Sequence, residues 1–372
     1  MRYQRIQGAC IALILVLLVA CGTPAAEPTP APPAATAEPT PVPATATPLP
    51  EPTPAPKGRF EGGDITSQAL ADNLIGDPNK RRFDVYLPPG YDDGDERYPV
   101  VYVLHGWRGS YTDFSKMGPK LKSLMAEGKA QPMILVFVDG ANTFWGSWYR
   151  SSPTIGDYEG YITRELVDLV DSAYRTLPNP ESRGITGCSM GGEGAIHLAF
   201  KYPDVYGVAA PVEGIYDYDL EDDSWPRWEE GRAAYEGEPE APFRGVPWLV
   251  VWYTGGAAIA APNPDRPPLY LDMPFEIVDG EGQIVPDVYD KIVALAPKHE
   301  VHDYLDQPVR LRGLLIVQQQ KNVPLQVASG RKFDQLLTDL DVEHEYLELD
   351  AEHCDDSWYG PVLEFMSDHL AH

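Results

Sequence analysis

The pentapeptide Gly187-Cys188-Ser189-Met190-Gly191 constrains this chain more than any other stretch of it. Arg183 to Thr186 before it reads as a short strand, and Gly192 to Phe200 after it reads as a helix. A chain that turns from strand to helix inside five residues brings its flanks so close that side chains larger than hydrogen collide there. The turn also leaves Ser189 at the head of a helix, where free N–H groups favour negative charge. Ser189 is therefore a candidate nucleophile, and the backbone N–H of Met190 a candidate donor to an oxyanion.

The surrounding sequence alternates strand and helix patterns. Arg82 to Leu87 alternates and ends in Pro88-Pro89-Gly90, while Pro99 to Leu104 and Met133 to Val138 are continuous apolar runs suited to buried parallel strands. Between them, Lys116 to Glu127 places Met117, Leu121, Leu124 and Met125 at helical spacing, and Glu165 to Tyr174 does the same with Leu166, Leu169 and Val170. Gly313 to Val317 and Glu345 to Leu349 read as the last strands, with a helix over Lys332 to Leu340. Trp248 to Tyr253 fits either a strand or a helix. No repeat of fixed period is present. This order predicts an α/β fold: a mostly parallel central sheet with helices on both faces.

The N-terminal region is of another kind. Arg2 and Arg5 precede an apolar run from Ala9 to Ala20, too short for a permanent membrane span but suited to an export signal. Leu18-Val19-Ala20-Cys21 resembles a bacterial lipobox, in which the cysteine becomes a lipidated N-terminus. Of the 36 residues from Cys21 to Pro56, 13 are proline, and large apolar side chains are almost absent. Such a tract cannot bury enough surface to offset its ordering entropy, so it reads as an extended spacer. The expected organisation is a signal peptide over 1–20, a linker over 21–58 and a folded domain over 59–372, with 217–307 a possible lid or insertion. The expected location is the outer face of the cytoplasmic membrane, anchored through Cys21. Against 56 Asp and Glu the chain sets 29 Lys and Arg, for a net charge of −27, which argues against nucleic acid as a partner.

An activated serine needs a base and oxyanion donors. His353 follows the strand Glu345 to Leu349, where a base belongs if the chain order is nucleophile, acid, histidine. His105-Gly106-Trp107 follows the strand ending at Leu104, so the Trp107 N–H is the second expected oxyanion donor; His105 itself reads as structural. With these pieces the chain resembles the esterase D-like family of the α/β-hydrolase fold. The matching residues are Val85 to Gly90, Leu104-His105-Gly106, Ser189 to Ala195, the helix Glu165 to Arg175 and His353. The likeness is strong over about residues 80 to 205 and looser over 310 to 370. It implies ester hydrolysis or acyl transfer through an acyl-serine, with no metal or organic cofactor, and an ester as substrate.

In that family the triad acid follows the strand corresponding to Gly313 to Val317. Here the loop is Gln318-Gln319-Gln320-Lys321-Asn322-Val323-Pro324, which puts Asn322 at the acid's place. An amide supplies no charge to an imidazolium, and an Asp to Asn change at such a site lowers turnover about 10⁴-fold in a serine protease. Three readings follow: a weak esterase with an Asn-type triad, an enzyme recruiting Asp350, Asp355 or Asp356, or a lapsed hydrolase that binds ligands at the cell surface. An acyltransferase is a further alternative. Trp145, Trp148, Tyr149 and Tyr158 follow the third apolar strand and are expected to line a substrate pocket. Cys188 and Cys354 read as two small buried thiols. His299 and His302 lack the third ligand that a zinc site requires.

Overall fold

A computed structural model describes residues 57–218, 248–279, 281–322 and 324–372, all within one compact unit, Pro54–His372. The expected export signal, Cys21 and the expected linker up to residue 56 lie outside the described residues, as do 219–247 of the suggested lid.

Eight strands form the central sheet: β1 (Arg59–Thr66), β2 (Lys80–Leu87), β3 (Val100–Leu104), β4 (Ile134–Val138), β5 (Arg183–Cys188), β6 (Val208–Val212), β7 (Gly313–Gln319) and β8 (Glu345–Leu349). Their spatial order is β1-β2-β4-β3-β5-β6-β7-β8. β2 pairs antiparallel with both β1 and β4, and every other neighbouring pair is parallel. β3 and β4 are buried along their whole length, which explains their unbroken apolar sequences.

Side chains alternate across the sheet and separate the core into two layers. Tyr102, Leu104, Val136, Ile185, Ala209 and Ile316 belong to one layer; Val101, Val103, Leu135, Phe137, Ala210, Val212 and Val317 belong to the other. Helices α1 (Met117–Ala126) and α7 (Tyr359–His369) add Leu121, Leu124, Val362 and Met366 to the second layer. Helices α2 (Leu166–Ala173), α3 (Met190–Lys201), α4 (Trp248–Ala260), α5 (Pro286–Val293) and α6 (Pro324–Asp339) cover the first, through residues such as Val170, Leu198, Val251, Ile292 and Leu337. The described part of 217–307 is thus core rather than appendage: Val250, Ala257, Ala258, Ile292 and Val301 are fully buried there.

The expected strands and helices agree with these elements to within a few residues, apart from α6, which begins earlier. Trp248 to Tyr253 is helical. Sequence reasoning missed β1, the C-terminal helix α7 and, with most consequence, β6. The sequence of β6, Val-Ala-Ala-Pro-Val, has two small alanines at its centre and carries Pro211 opposite Gly187 of β5. Proline normally argues against a central strand because it cannot donate to the ladder.

Candidate active site

The parallel strands end together. Leu104 pairs with Val138 and with Gly187, and Cys188 pairs with Val212, so the loops after β3, β4, β5 and β6 emerge at one sheet edge. Ligand crevices of open α/β sheets form at such an edge.

Ser189 links β5 to α3 with φ 60° and ψ −121°, a conformation that L-residues rarely adopt. Its N–H donates to Val212 O at 2.9 Å and its carbonyl accepts from Glu193 N at 3.0 Å, so neighbouring strand and helix both hold the strained residue. A Cβ on Gly191 would run into the carbonyl oxygens of Leu104 and His105, which is why the pentapeptide ends in glycine. The loop after β3 lies directly against the serine: a Cβ on Gly106 would stand 3.6 Å from Ser189 Cβ and 3.4 Å from Cys188 O. Trp107 and Met190 meet beside this turn: a Cβ on Gly146 would run into both side chains. His105 is buried beneath this loop; its Nδ1 bonds Gly106 O at 2.7 Å and its Nε2 accepts from Gly140 N at 2.9 Å.

The opposite side of the site is carried by side chains. His353, about two-fifths exposed, places Nδ1 2.6 Å from Oε2 of Glu213, which is completely buried. Glu213 is the first residue after β6, with φ 49°, and its N–H donates to Val317 O of β7 at 2.9 Å. Its carboxylate is surrounded by donors: Cys354 N reaches Oε2 at 2.9 Å, while Gln319 N and Asn322 Nδ2 reach Oε1 at 3.2 and 3.1 Å. A buried carboxylate is tolerable only with such partners.

This geometry corrects the assignment of Asn322. The acid on His353 Nδ1 is Glu213, one strand earlier in the sheet, and Asn322 is one of the donors to that acid's other oxygen. Nor do the other candidates take the role. Asp350 is highly exposed and pairs with Lys321, and Asp355 accepts from Ser357 N and Gln319 Nε2. The signal in the sequence was a lone carboxylate, Val212-Glu213-Gly214, closing an apolar run; it was lost because that run was not read as a strand.

Cys188 and Cys354 are likewise not two thiols. They form a disulfide, with Cα atoms 5.9 Å apart, joining the residue before Ser189 to the residue after His353. Counting points to the same pair: Cys188 and Cys354 are the only two cysteines of the sequence after residue 21.

The aromatic residues after β4 divide. Trp148, Tyr149 and Tyr158 are buried, Tyr149 donating to His105 O at 2.8 Å and Tyr158 to Ala141 O at 2.8 Å, so they are core supports of the loop rather than pocket lining. Trp145 is partly exposed, with its ring 5.2 Å from that of Trp107 and under the Arg108 guanidinium at 4.4 Å. Trp145, Trp148 and Tyr149 all have positive φ, marking a loop whose shape is imposed by its surroundings.

A second buried carboxylate, Glu193, sits in the first turn of α3. It accepts from Tyr218 O–H at 2.7 Å and Ile215 N at 3.1 Å, tying the chain just beyond Glu213 to the nucleophile's helix. Burial pushes its carboxyl up to about 7, against the opposing effect of these bonds. Among the described residues, the one His, Cys, Asp and Glu group close enough to hold a metal is Cys188, Glu213 and Cys354, whose sulfurs are committed to the disulfide. His299 and His302 are both exposed.

Residues 78–249 match the family described as putative esterase. That match takes in a little under half of the chain and includes β3 to β6, Ser189 and Glu213. The endo-1,4-beta-xylanase/feruloyl esterase of Xylanibacter ruminicola is 30% identical over 137 residues, which are 35% of this chain and 19% of that protein. Esterase Rv1288 of Mycobacterium tuberculosis is 32% identical over 132 residues, 35% of this chain and 28% of the other. The chain thus spans about a fifth to a quarter of the length of these two relatives. The structure of fluorophosphonate-binding serine hydrolase F of Staphylococcus aureus aligns with 85% of this chain and 99% of its own, with TM-score 0.55 at 14% identity. The eight-stranded sheet and this likeness establish the α/β-hydrolase fold.

Proposed function

We propose that the protein is a serine esterase using Ser189 as nucleophile, His353 as base and Glu213 as acid. The observation that carries this reading is the buried Glu213 carboxylate on His353 Nδ1, beside the strained turn that presents Ser189. With Nδ1–H held by Glu213, His353 Nε2 accepts the Ser189 proton as Oγ bonds to the ester carbonyl carbon. The tetrahedral oxyanion takes hydrogen bonds from the N–H groups of Met190 and Trp107. When the C–O bond breaks, Nε2 returns the proton to the leaving alcohol; water then repeats the sequence and releases the acid. Glu213 supplies the charge whose absence favoured a non-catalytic binding protein.

The feruloyl esterase activity named for the Xylanibacter relative makes hydroxycinnamoyl esters the first natural class to test. The export signal and lipobox support a location on the outer face of the membrane, anchored through Cys21. The deciding experiment is hydrolysis of p-nitrophenyl acetate, with covalent labelling by a fluorophosphonate, for the native protein and Ser189→Ala. Turnover and label that both depend on Ser189 are expected; equal turnover in the two folded proteins would overturn the reading. For the anchor, Cys21→Ala is expected to move the protein from the membrane fraction to the soluble one.

A further inference from the structure

We infer that the Cys188–Cys354 disulfide is a positioning element of the active site, setting the base against the nucleophile, so that full turnover requires its oxidised form. This rests on the esterase reading of Ser189 and His353.

The bridge joins the two loops that have to stay in register. Cys188 is the last residue of β5, fully buried, and the next residue is the nucleophile. Cys354 has φ 52° and follows the base. Its backbone N–H and His353 Nδ1 converge on the same oxygen of Glu213, at 2.9 and 2.6 Å, and its Sγ lies 3.7 Å from His353 Nε2. One residue thus fixes the acid through its backbone, touches the imidazole and is bonded to the nucleophile's strand.

The loop has other tethers that keep it folded without setting its distance from Ser189. Lys321 N donates to Ala351 O at 3.0 Å, and Gln319 Nε2 donates to Asp355 at 2.7 Å. One comes from the last residue of β7 and the other from just beyond it, two strands away from β5 in the sheet. Among these tethers of residues 351–355, the disulfide is the one that reaches the nucleophile's own strand. Opening it is therefore expected to loosen the Ser189–His353 approach while leaving the sheet and helices in place.

Reduction by a dithiol such as dithiothreitol is balanced within the pair. The S–S bond takes two electrons and two protons and becomes two thiols, and the reductant closes to its cyclic disulfide. Turnover would then be matched to an oxidising compartment, consistent with the export signal at the N-terminus.

The test compares the purified full-length protein, the same protein reduced in place and then reoxidised, and Cys188→Ala/Cys354→Ala, below the melting temperature of each. A misplacement on the order of 1 Å can lower turnover by about 100-fold, so kcat is expected to fall tenfold or more. KM should stay within about twofold, far-UV and near-UV circular dichroism should remain native, and reoxidation should restore kcat. Unchanged kcat in the open forms would overturn the inference. So would a loss of activity that only tracks lost near-UV signal, which would make the bridge a purely stabilising one. Activity surviving Ser189→Ala would instead strike the esterase reading, and the two failures are told apart by that control.

Discussion

The nucleophile side of the site and its acid–base side are built by different means. Around Ser189, backbone meets backbone: the turn passes so close to Leu104 and His105 that Gly191 cannot carry a side chain, and strand and helix peptide groups hold the serine. Around His353, groups from distant points of the sequence converge on one buried side-chain carboxylate, with the Gln319 backbone N–H and the Asn322 side-chain amide more than a hundred residues from Glu213. Close backbone packing restricts residue type at fixed spacing and therefore leaves a motif. Convergence of side chains restricts only which groups meet, and many sequences satisfy it.

The sharpest way to test that division is to remove each side's central group. Ser189→Ala, which keeps the turn, is expected to lower kcat by about 10⁶-fold, as nucleophile removal does in a serine protease. Glu213→Gln is expected to lower kcat by about 10⁴-fold with little change in KM, read on the same p-nitrophenyl ester, because the imidazolium loses its counter-charge.

A subtler comparison sets the site's two buried carboxylates against each other. Glu213 is wrapped in donors, whereas Glu193 has two and its carboxyl is pushed up to about 7 by burial. The folded protein keeps that proton to about pH 7, while the unfolded chain releases it near the usual 4.5. Folding is thus coupled to proton uptake in this window, and Glu193 favours the folded state at the acidic end, an advantage lost as pH rises to 7. The change is about 3 kcal/mol across the window. Glu193→Gln should remove that slope from urea unfolding measured between pH 4.5 and 8; an unaltered slope would show that Glu193 titrates normally.

The smallest expected effect separates the two assignments of the acid. If Asn322 were the triad acid, Asn322→Asp would raise turnover. Because its Nδ2 lies 3.1 Å from Glu213 Oε1, a carboxylate there crowds the existing one, and one of the two must take up a proton. Turnover at pH 7 is expected to fall by about tenfold, one pKa unit's worth of misprotonation.

The same contrast explains what the sequence made legible. β3 and β4 could be read because strands buried on both faces must be apolar throughout, and β5 with the Ser189 turn because the glycines there are sterically required. The place of His353 could be read from chain order. β6 could not, since two alanines leave its centre without bulk and Pro211 removes a donor, yet its two neighbours hold it in the sheet. Misreading that one strand displaced the acid by a whole strand, from Glu213 to Asn322. Tyr149 and Tyr158 were misplaced for a related reason: an aromatic side chain after a strand is equally suited to a ligand or to a loop's own support, and only their bonds to His105 O and Ala141 O decide it.

The disulfide also changes what a break in the chain would do. It closes a loop of 166 residues that contains β6, Glu213 and the whole of 219–247. A protease cutting once between Ser189 and His353 would give two polypeptides that remain one covalent molecule, with each of these residues still next to its bridged cysteine. Such nicked protein would migrate as two bands only after reduction, so the bridge makes a single cut in this stretch reversible in connectivity under oxidising conditions and a separation into fragments under reducing ones.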